Sequence, residues 1–145
     1  MTTYESEVHF AKKHGPGAKA NPKIEAALRQ EVSSGELPCA VAFKIAFDLN
    51  VQPKEVGHVA DLLEMRLTKC QLGLFGYQPA KRIVKPAEHV SGDLEKAIKE
   101  RLDHGRLPCV SAWNIANDLG IRKMKVSSAC QALGIKISAC QIGAF

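Results

Sequence analysis

Apolar residues recur three and four positions apart in two stretches of the chain, which is the spacing of one face of an α-helix. The first stretch follows Asn21 and Pro22, an N-cap residue and a proline suited to the first helical turn. In the second stretch, Ser91 or Asp93 is the expected cap. The apolar positions are Ile24, Ala27, Leu28 and Val32 in the first stretch, and Leu94, Ala97, Ile98 and Leu102 in the second.

The same succession of elements is predicted after each of these helices. A glycine, Gly35 or Gly105, is expected to end the first helix as the residue after its C-cap. A second helix then opens at a proline and stops before Asn50 or Gly120, residues that tolerate the left-handed conformation. A third helix and a β-rich strand of about six to eight residues complete the pattern, and the Leu-Pro segment is expected to pair with that strand. The predicted bounds are Pro38 to about Leu49, 52–64 and a strand in 65–73, then Pro108 to about Leu119, 122–133 and a strand in 135–143.

These two successions are copies of one sequence displaced by 70 residues. Residues 23–75 align with 93–145 without a gap, and 17 of the 53 positions are identical. Similarity that keeps its register over this length indicates a tandem duplication. The predicted organisation is a flexible tail at 1–21, a first module at 22–75, a basic linker at 76–92 and a second module at 93–145. Within the linker, Ile83 and Val84 are expected to form a short edge strand.

The second and third helices of each copy resemble the helix-turn-helix of bacterial DNA-binding domains. A small residue lets the third helix cross closely, a turn residue adopts positive φ without strain, and a β-branched residue packs back onto the small one. With its final strand, each module resembles a reduced winged helix that lacks the hairpin of a true wing. The predicted fold is mainly α, with two tandem three-helix modules of this kind, each followed by a short strand. The matching residues are Ala46, Asn50 and Val56 in copy one, and Ala116, Gly120 and Val126 in copy two.

Composition narrows the class of protein. The 145 residues are 46% apolar and 24% charged, which is typical of a folded domain rather than a disordered chain. No apolar stretch approaches the roughly 20 residues of a membrane span, and the N-terminus carries no apolar signal segment. We therefore expect a cytoplasmic protein without a membrane partner.

Charge adds an expectation about partners. The net charge is +5, and it is unevenly placed: copy one has six basic and seven acidic residues, whereas copy two has eight and five. Basic side chains suit phosphates and guanine, serine suits phosphate, and glutamine can read adenine. The resemblance thus implies DNA as partner and a role in transcriptional regulation, with the third helix of copy two as the main contact. The candidate DNA-binding residues are Arg122, Lys123, Lys125, Ser127, Ser128 and Gln131 in copy two, Gln52, Lys54 and His58 in copy one, and Lys81, Arg82 and Lys85 in the linker.

A second interpretation stays open beside DNA binding. A charged helix face is often merely solvated, and the fold also occurs in protein-interaction modules. The near-neutral copy one and the edge of the CQLG or CQIG strand would then contact a protein partner, and a thiol-responsive module is one form of this alternative. No catalytic motif of the hydrolase, nucleotide-binding or zinc-protease kinds occurs, so no enzyme activity and no cofactor are expected.

The cysteines offer three interpretations. They pack as small core residues, form redox pairs within each module, or bind a metal; the last has little support because no C-x-x-C occurs. The paired thiols are Cys39 and Cys70 in copy one, and Cys109 and Cys140 in copy two. Cys39 and Cys109 open the second helix, where the helix N-terminus is expected to lower the pKa of each thiol.

Overall fold

A computed structural model describes residues 19–145, and this part of the chain is mainly helical, with six helices and four short strands. It divides into two compact units, with the boundary between Thr68 and Lys69. We call these unit 1 and unit 2. Of the predicted tail, residues 1–21, the first 18 residues lie outside the described part of the chain. Within residues 19–145, no helix is long and apolar enough to cross a membrane.

Unit 1 begins with a capped helix. The Asn21 side chain accepts the backbone N–H groups of Lys23 and Ile24 at 2.9 and 3.4 Å, which confirms the predicted cap. The elements are α1 (Pro22–Glu31), β1 (Glu36–Pro38), α2 (Cys39–Leu49), α3 (Pro53–Leu62) and β2 (Arg66–Thr68). Strands β1 and β2 pair in parallel with Leu37 opposite Leu67, so the predicted pairing of the Leu-Pro segment is confirmed.

Unit 2 repeats this order. Its elements are α4 (Gly92–Glu100), β3 (Leu107–Pro108), α5 (Cys109–Leu119), α6 (Lys123–Leu133) and β4 (Ile137–Ser138). Ser91 is the cap of α4, since its Oγ accepts the Leu94 N–H at 3.3 Å. Strands β3 and β4 again pair in parallel, with Leu107 opposite Ile137.

The turn between the second and third helices has the predicted backbone. Asn50 and Gly120 adopt left-handed φ values of 54° and 65°. In both units the next helix begins three residues later, and Val56 or Val126 is completely buried on it. This turn brings the third helix back against the second, as the alternation of small and β-branched residues predicts.

The first helix of each copy ends earlier than predicted. Helix α1 stops at Glu31 with Val32 as its C-cap, so Gly35 is not the residue after the cap. Helix α4 stops at Glu100 with Arg101 as its C-cap. Gly35 and Gly105 do adopt positive φ, at 78° and 77°, but they do so in the turn that leads into the strand. Both glycines therefore occupy positions that require positive φ, but these positions lie in the turn before the strand and not directly after a helix C-cap.

The predicted final strands are wrong beyond their first residues. Lys69 and Ala139 adopt φ values of 48° and 50°, and this left-handed conformation ends the extended chain. The sequence C-Q-x-G-x-F that follows closes into a six-residue loop in both copies. In each loop the cysteine N–H donates to the phenylalanine carbonyl, at 3.2 Å for Cys70 and 3.0 Å for Cys140. Only three residues in β2 and two in β4 remain as strand.

The first of these loops packs in unit 2, although the repeat aligns it with copy one. Cys70 and Leu72 are buried in one apolar cluster with Leu94, Ile98 and Leu107. Leu74 and Phe75 pack against the same cluster. The structural boundary therefore falls at 68/69, whereas the repeat places residues 69–75 in the module 22–75. Burial of apolar side chains rather than repeat register decides where this loop lies.

Replacement of Leu72 by alanine tests this placement. Leu72 is 1% exposed, so the cavity left by Leu72→Ala should lower the free energy of unfolding by about 2–5 kcal/mol. Leu119→Ala, at a position that is 41% exposed, is the matched control and should change it by less than about 0.5 kcal/mol. Amide hydrogen exchange should accelerate in α4–α6 for Leu72→Ala. Acceleration confined to residues 19–68 would contradict the assignment of the loop to unit 2.

Candidate nucleic-acid interface

The chain between the two repeats folds onto helix α6. The Gly73 carbonyl accepts the N–H groups of Ile83 and Val84 at 3.0 and 3.1 Å, and Val84 is buried. Gly73 has a φ of 75°, and a Cβ on it would lie 3.1 Å from the Met124 side chain. A larger residue at this position would have a strained backbone and would press on the Met124 side chain. We call residues 69–87 the covering segment; the predicted strand at Ile83 and Val84 does not form in it.

Two serines of α6 hold the covering segment. Ser127 is 1% exposed, and its hydroxyl donates to the Leu72 carbonyl at 2.6 Å. One residue on, the Ser128 hydroxyl donates to the Lys85 carbonyl at 2.5 Å, and the Ser128 carbonyl accepts the Ala87 N–H at 3.0 Å. Both serines were predicted to contact DNA, but here their hydroxyls serve the protein's own backbone. The middle of α6 is therefore covered.

The remaining candidates on α6 stay closer to solvent. Arg122 is the exposed N-cap residue of the helix, and Lys125 is exposed one turn later. The Lys123 ammonium lies 4.3 Å from the centre of the Trp113 ring, a cation–π contact that fixes its position. Gln131 is half-buried near the end of the helix.

The candidates in copy one lie on α3 of unit 1. Gln52 and Lys54 are exposed, and His58 is half-buried. Glu55 lies among them, with its carboxylate accepting the Gln52 N–H at 2.8 Å. Because this carboxylate belongs to the helix cap, the first turn of α3 keeps a negative charge.

The net positive charge of the described chain lies in unit 2. Unit 2 has twelve basic and six acidic residues, whereas residues 19–68 have six and seven. Moreover, the covering segment contains no Asp or Glu, and neither does the sequence after Asp118. The structure packs these two acid-free segments together.

The result is a set of exposed basic residues on and around α6, which we call the basic strip. Lys85 lies beside Ser128, one turn from Lys125, and Arg82 shares a cleft with Gln131 and Lys136. Elsewhere in unit 2, Lys99 pairs with Glu95 at 2.6 Å and Arg101 with Asp118 at 2.9 Å. Within residues 19–145, none of the strip residues forms an ion pair. The basic strip consists of Arg82, Lys85, Arg122, Lys125 and Lys136.

The structure thus places only some of the predicted DNA-binding residues in the basic strip. Lys81 is exposed in the covering segment, and its carbonyl accepts the Tyr77 N–H at 3.2 Å. Lys136, which joins the strip, was missed because it lies after the third helix. The signal that would have found it is the absence of carboxylates after Asp118 rather than any single motif.

The end of the strip borders a cleft of about 500 Å³ in unit 2. Its walls include the rings of Phe75 and Phe145, whose centres lie 6.1 Å apart with planes at 85°. These two residues are the matched ends of the two C-Q-x-G-x-F loops. Phe145 is 50% exposed, so part of its ring is open to solvent.

Three thiols of unit 2, those of Cys70, Cys109 and Cys130, are buried in the core rather than activated. Burial raises the pKa of Cys109, and hydrogen bonds from Gln141, one of them to Sγ at 3.5 Å, only partly offset this. Burial likewise raises the pKa of Cys70. The prediction that the helix N-terminus lowers the pKa of Cys109 is therefore wrong, because desolvation is the larger effect. Cys39 is buried at the start of α2, and Cys140 is half-buried.

No metal centre is found in the described part of the chain. Among residues 19–145, no three or more His, Cys, Asp or Glu side chains are grouped so that they could hold a metal ion. Compared with protein-family models, curated proteins and solved structures, the chain shows no significant match to any of them.

Serine-to-alanine variants distinguish the structural role of Ser127 from phosphate contact. Ser127→Ala leaves the buried Leu72 carbonyl without its donor, which should lower the free energy of unfolding by about 1–3 kcal/mol. Ser128→Ala is the matched control, since water can replace its bond to the exposed Lys85, and it should cost less than about 1 kcal/mol. Both are measured by urea unfolding. A Ser127→Ala protein of unchanged stability but weaker duplex DNA binding would contradict the structural role.

Cys130 predicts a pH dependence of stability. Burial raises its pKa from 9.0 to about 11, so the folded protein holds this proton where the unfolded chain releases it. The stabilising effect is complete below pH 9 and is lost as the pH rises from 9 to 11. The melting temperature should therefore fall less between pH 8.5 and 10.5 in Cys130→Ala than in the wild type. Alanine stands at the matching position, Ala60, in copy one. Parallel pH curves for the two proteins would contradict this effect.

Proposed function

We propose that unit 2 binds DNA through the basic strip, chiefly by contacts to phosphates. The observation that carries this proposal is the packing of two acid-free segments against each other. It leaves seven exposed basic residues of these segments without a carboxylate partner within residues 19–145, and five of them form the basic strip. Unpaired cations on one side of a small domain raise the local potential and attract polyanions. Release of counterions from the DNA then supplies the driving force.

The arrangement of the helices supports the same proposal. Helices α5 and α6 meet at the left-handed Gly120, in the manner of a helix-turn-helix, and α2 and α3 meet in the same way at Asn50. We therefore propose two helix-turn-helix modules, with a parallel strand pair in place of a wing. The N-terminal turn of α6, with Arg122 and Lys125, is the part that stays open to the major groove.

The covering segment sets the mode of binding. Because residues 84–87 lie along the middle of α6, the side chains of Ser127 and Ser128 do not reach base edges. Contacts from the strip are then mainly to the backbone, and they carry little sequence information. Sequence-tolerant DNA binding is accordingly the form of the proposal that the geometry favours. A role in transcriptional regulation stays a prediction.

Salt dependence is the first test of this proposal. Five phosphate contacts predict a slope of roughly −4.5 for log Kobs against log salt, or a loss of roughly 500-fold in affinity between 50 and 200 mM NaCl. The measurement is fluorescence anisotropy of a labelled 20-base-pair duplex of random sequence. Absence of binding at 50 mM NaCl would overturn the proposal.

A pair of charge-reversal variants locates the contact. Lys125→Glu should weaken duplex binding at least tenfold and reduce the salt slope by about one. Lys96→Glu on α4 makes the same change in net charge at another exposed position, and it should weaken binding by less than about threefold. Equal losses in both variants would show that only the total charge matters and not the strip. Thermal unfolding of each variant checks that the fold is kept.

A further inference from the structure

The cleft at the end of the basic strip combines aromatic, basic and amide side chains. Phe75, Phe145 and Ile135 are among its apolar walls, and Arg82, Lys136 and Gln131 are among its polar residues. No Asp or Glu side chain lines it. This set has the chemistry of a nucleotide: flat apolar surface for a base, cations for phosphate, and an amide that both donates to and accepts from a base edge.

Its size fits one nucleotide rather than a duplex. A volume of about 500 Å³ lies in the range of small-molecule sites, which bury a single planar group. A base within a duplex is stacked on both faces and does not enter such a cleft unless it is unpaired first. A single strand offers its bases freely, and stacking on an aromatic ring is tolerant of sequence.

The orientation of the two phenylalanines supports stacking on Phe145. The rings meet edge to face, with planes at 85°, so Phe75 supports Phe145 from the side without stacking on it. Phe145 is 50% exposed, which leaves ring surface for a base. Arg82 and Lys136 are exposed around the same cleft, where they can neutralise the phosphates on either side of that base.

We infer that this cleft receives an unpaired nucleotide, so that unit 2 prefers single-stranded to double-stranded nucleic acid. The inference rests on the proposed function, because the strand follows the basic strip to reach the cleft. The strip supplies backbone contacts common to both forms of DNA, and the cleft supplies the contact that only the single strand can make.

The test compares a 20-nucleotide single strand with the duplex of the same sequence at 100 mM NaCl. The wild-type protein should bind the single strand roughly tenfold more tightly, the effect of about one stacked base. Phe145→Leu keeps an apolar side chain but removes the flat ring. It should weaken single-strand binding roughly tenfold and duplex binding less than about twofold. Phe145→Trp restores a ring and should retain the preference for the single strand.

Further arms separate the possible failures. Equal binding of duplex and single strand, with Phe145→Leu unchanged on both, would overturn the cleft and leave the proposed function standing. Absence of binding of either DNA at 50 mM NaCl would overturn both. A deoxymononucleotide should bind at least a hundredfold more weakly than the strand, since it lacks the contacts of the strip. If the mononucleotide bound with the same affinity as the strand, the cleft would be a small-molecule site. That result would overturn the inference that it receives a nucleotide of a single strand. A fluorescence change of Phe145→Trp on strand binding, larger than that of Trp113 alone, would support stacking in the cleft.

Discussion

The hydrogen bond from the Ser127 hydroxyl to the Leu72 carbonyl joins parts of the chain that are 55 residues apart, and the surface of unit 2 depends on it. A buried carbonyl without a donor is costly, so the serine both permits and requires the packing of the covering segment. Leu72 and Val84 add apolar burial on either side of Gly73. The position of the covering segment then determines which residues of α6 are exposed to solvent.

This packing works against electrostatics. It gathers exposed cations around α6, and neither the covering segment nor the sequence after Asp118 contains an Asp or Glu. In water and salt the repulsion among exposed charges is small, about 1 kcal/mol at 4 Å and less beyond a Debye length. Burial of one valine or leucine side chain contributes about 1.5–3 kcal/mol, so the apolar contacts outweigh the repulsion. In the proposed function, a bound polyanion relieves this repulsion.

Much of the fold could be predicted from local chemistry. The caps at Asn21 and Ser91 and the left-handed turns at Asn50 and Gly120 follow from residues that act on their own backbone. Pairing of the Leu-Pro segment with the later strand was also predicted, and its parallel orientation comes from the structure alone. The limits appear where distant residues compete. The β-rich appearance of K-C-Q-L-G-L-F predicted a strand, but its leucine and cysteine are buried by a core built mainly from copy two. Repeat register carries no information about that choice.

The site shows the same limit in a sharper form. In the sequence, a serine on a basic helix looks the same whether its hydroxyl binds a phosphate or a buried carbonyl. For Ser127, only the position of Leu72 in the structure shows that it binds a carbonyl. Basic residues were easier to predict, because an exposed lysine needs no partner in the protein. Arg122 and Lys125 are therefore exposed as expected, whereas Ser127 is not.

The duplication itself argues for one interface instead of two equivalent ones. At the position of Lys125 on α6, α3 has Glu55, which caps its helix. At the position of Gln131, α3 has Asp61. Where α6 has Ser127, α3 has Gly57, which has no hydroxyl to hold a covering carbonyl. A protein that reads two equivalent half-sites needs equal faces, and a carboxylate held near phosphate is repelled by it. The two copies have kept one backbone and diverged in charge at the same positions, so the proposed contact with a polyanion belongs to the third helix of unit 2 and not to that of unit 1.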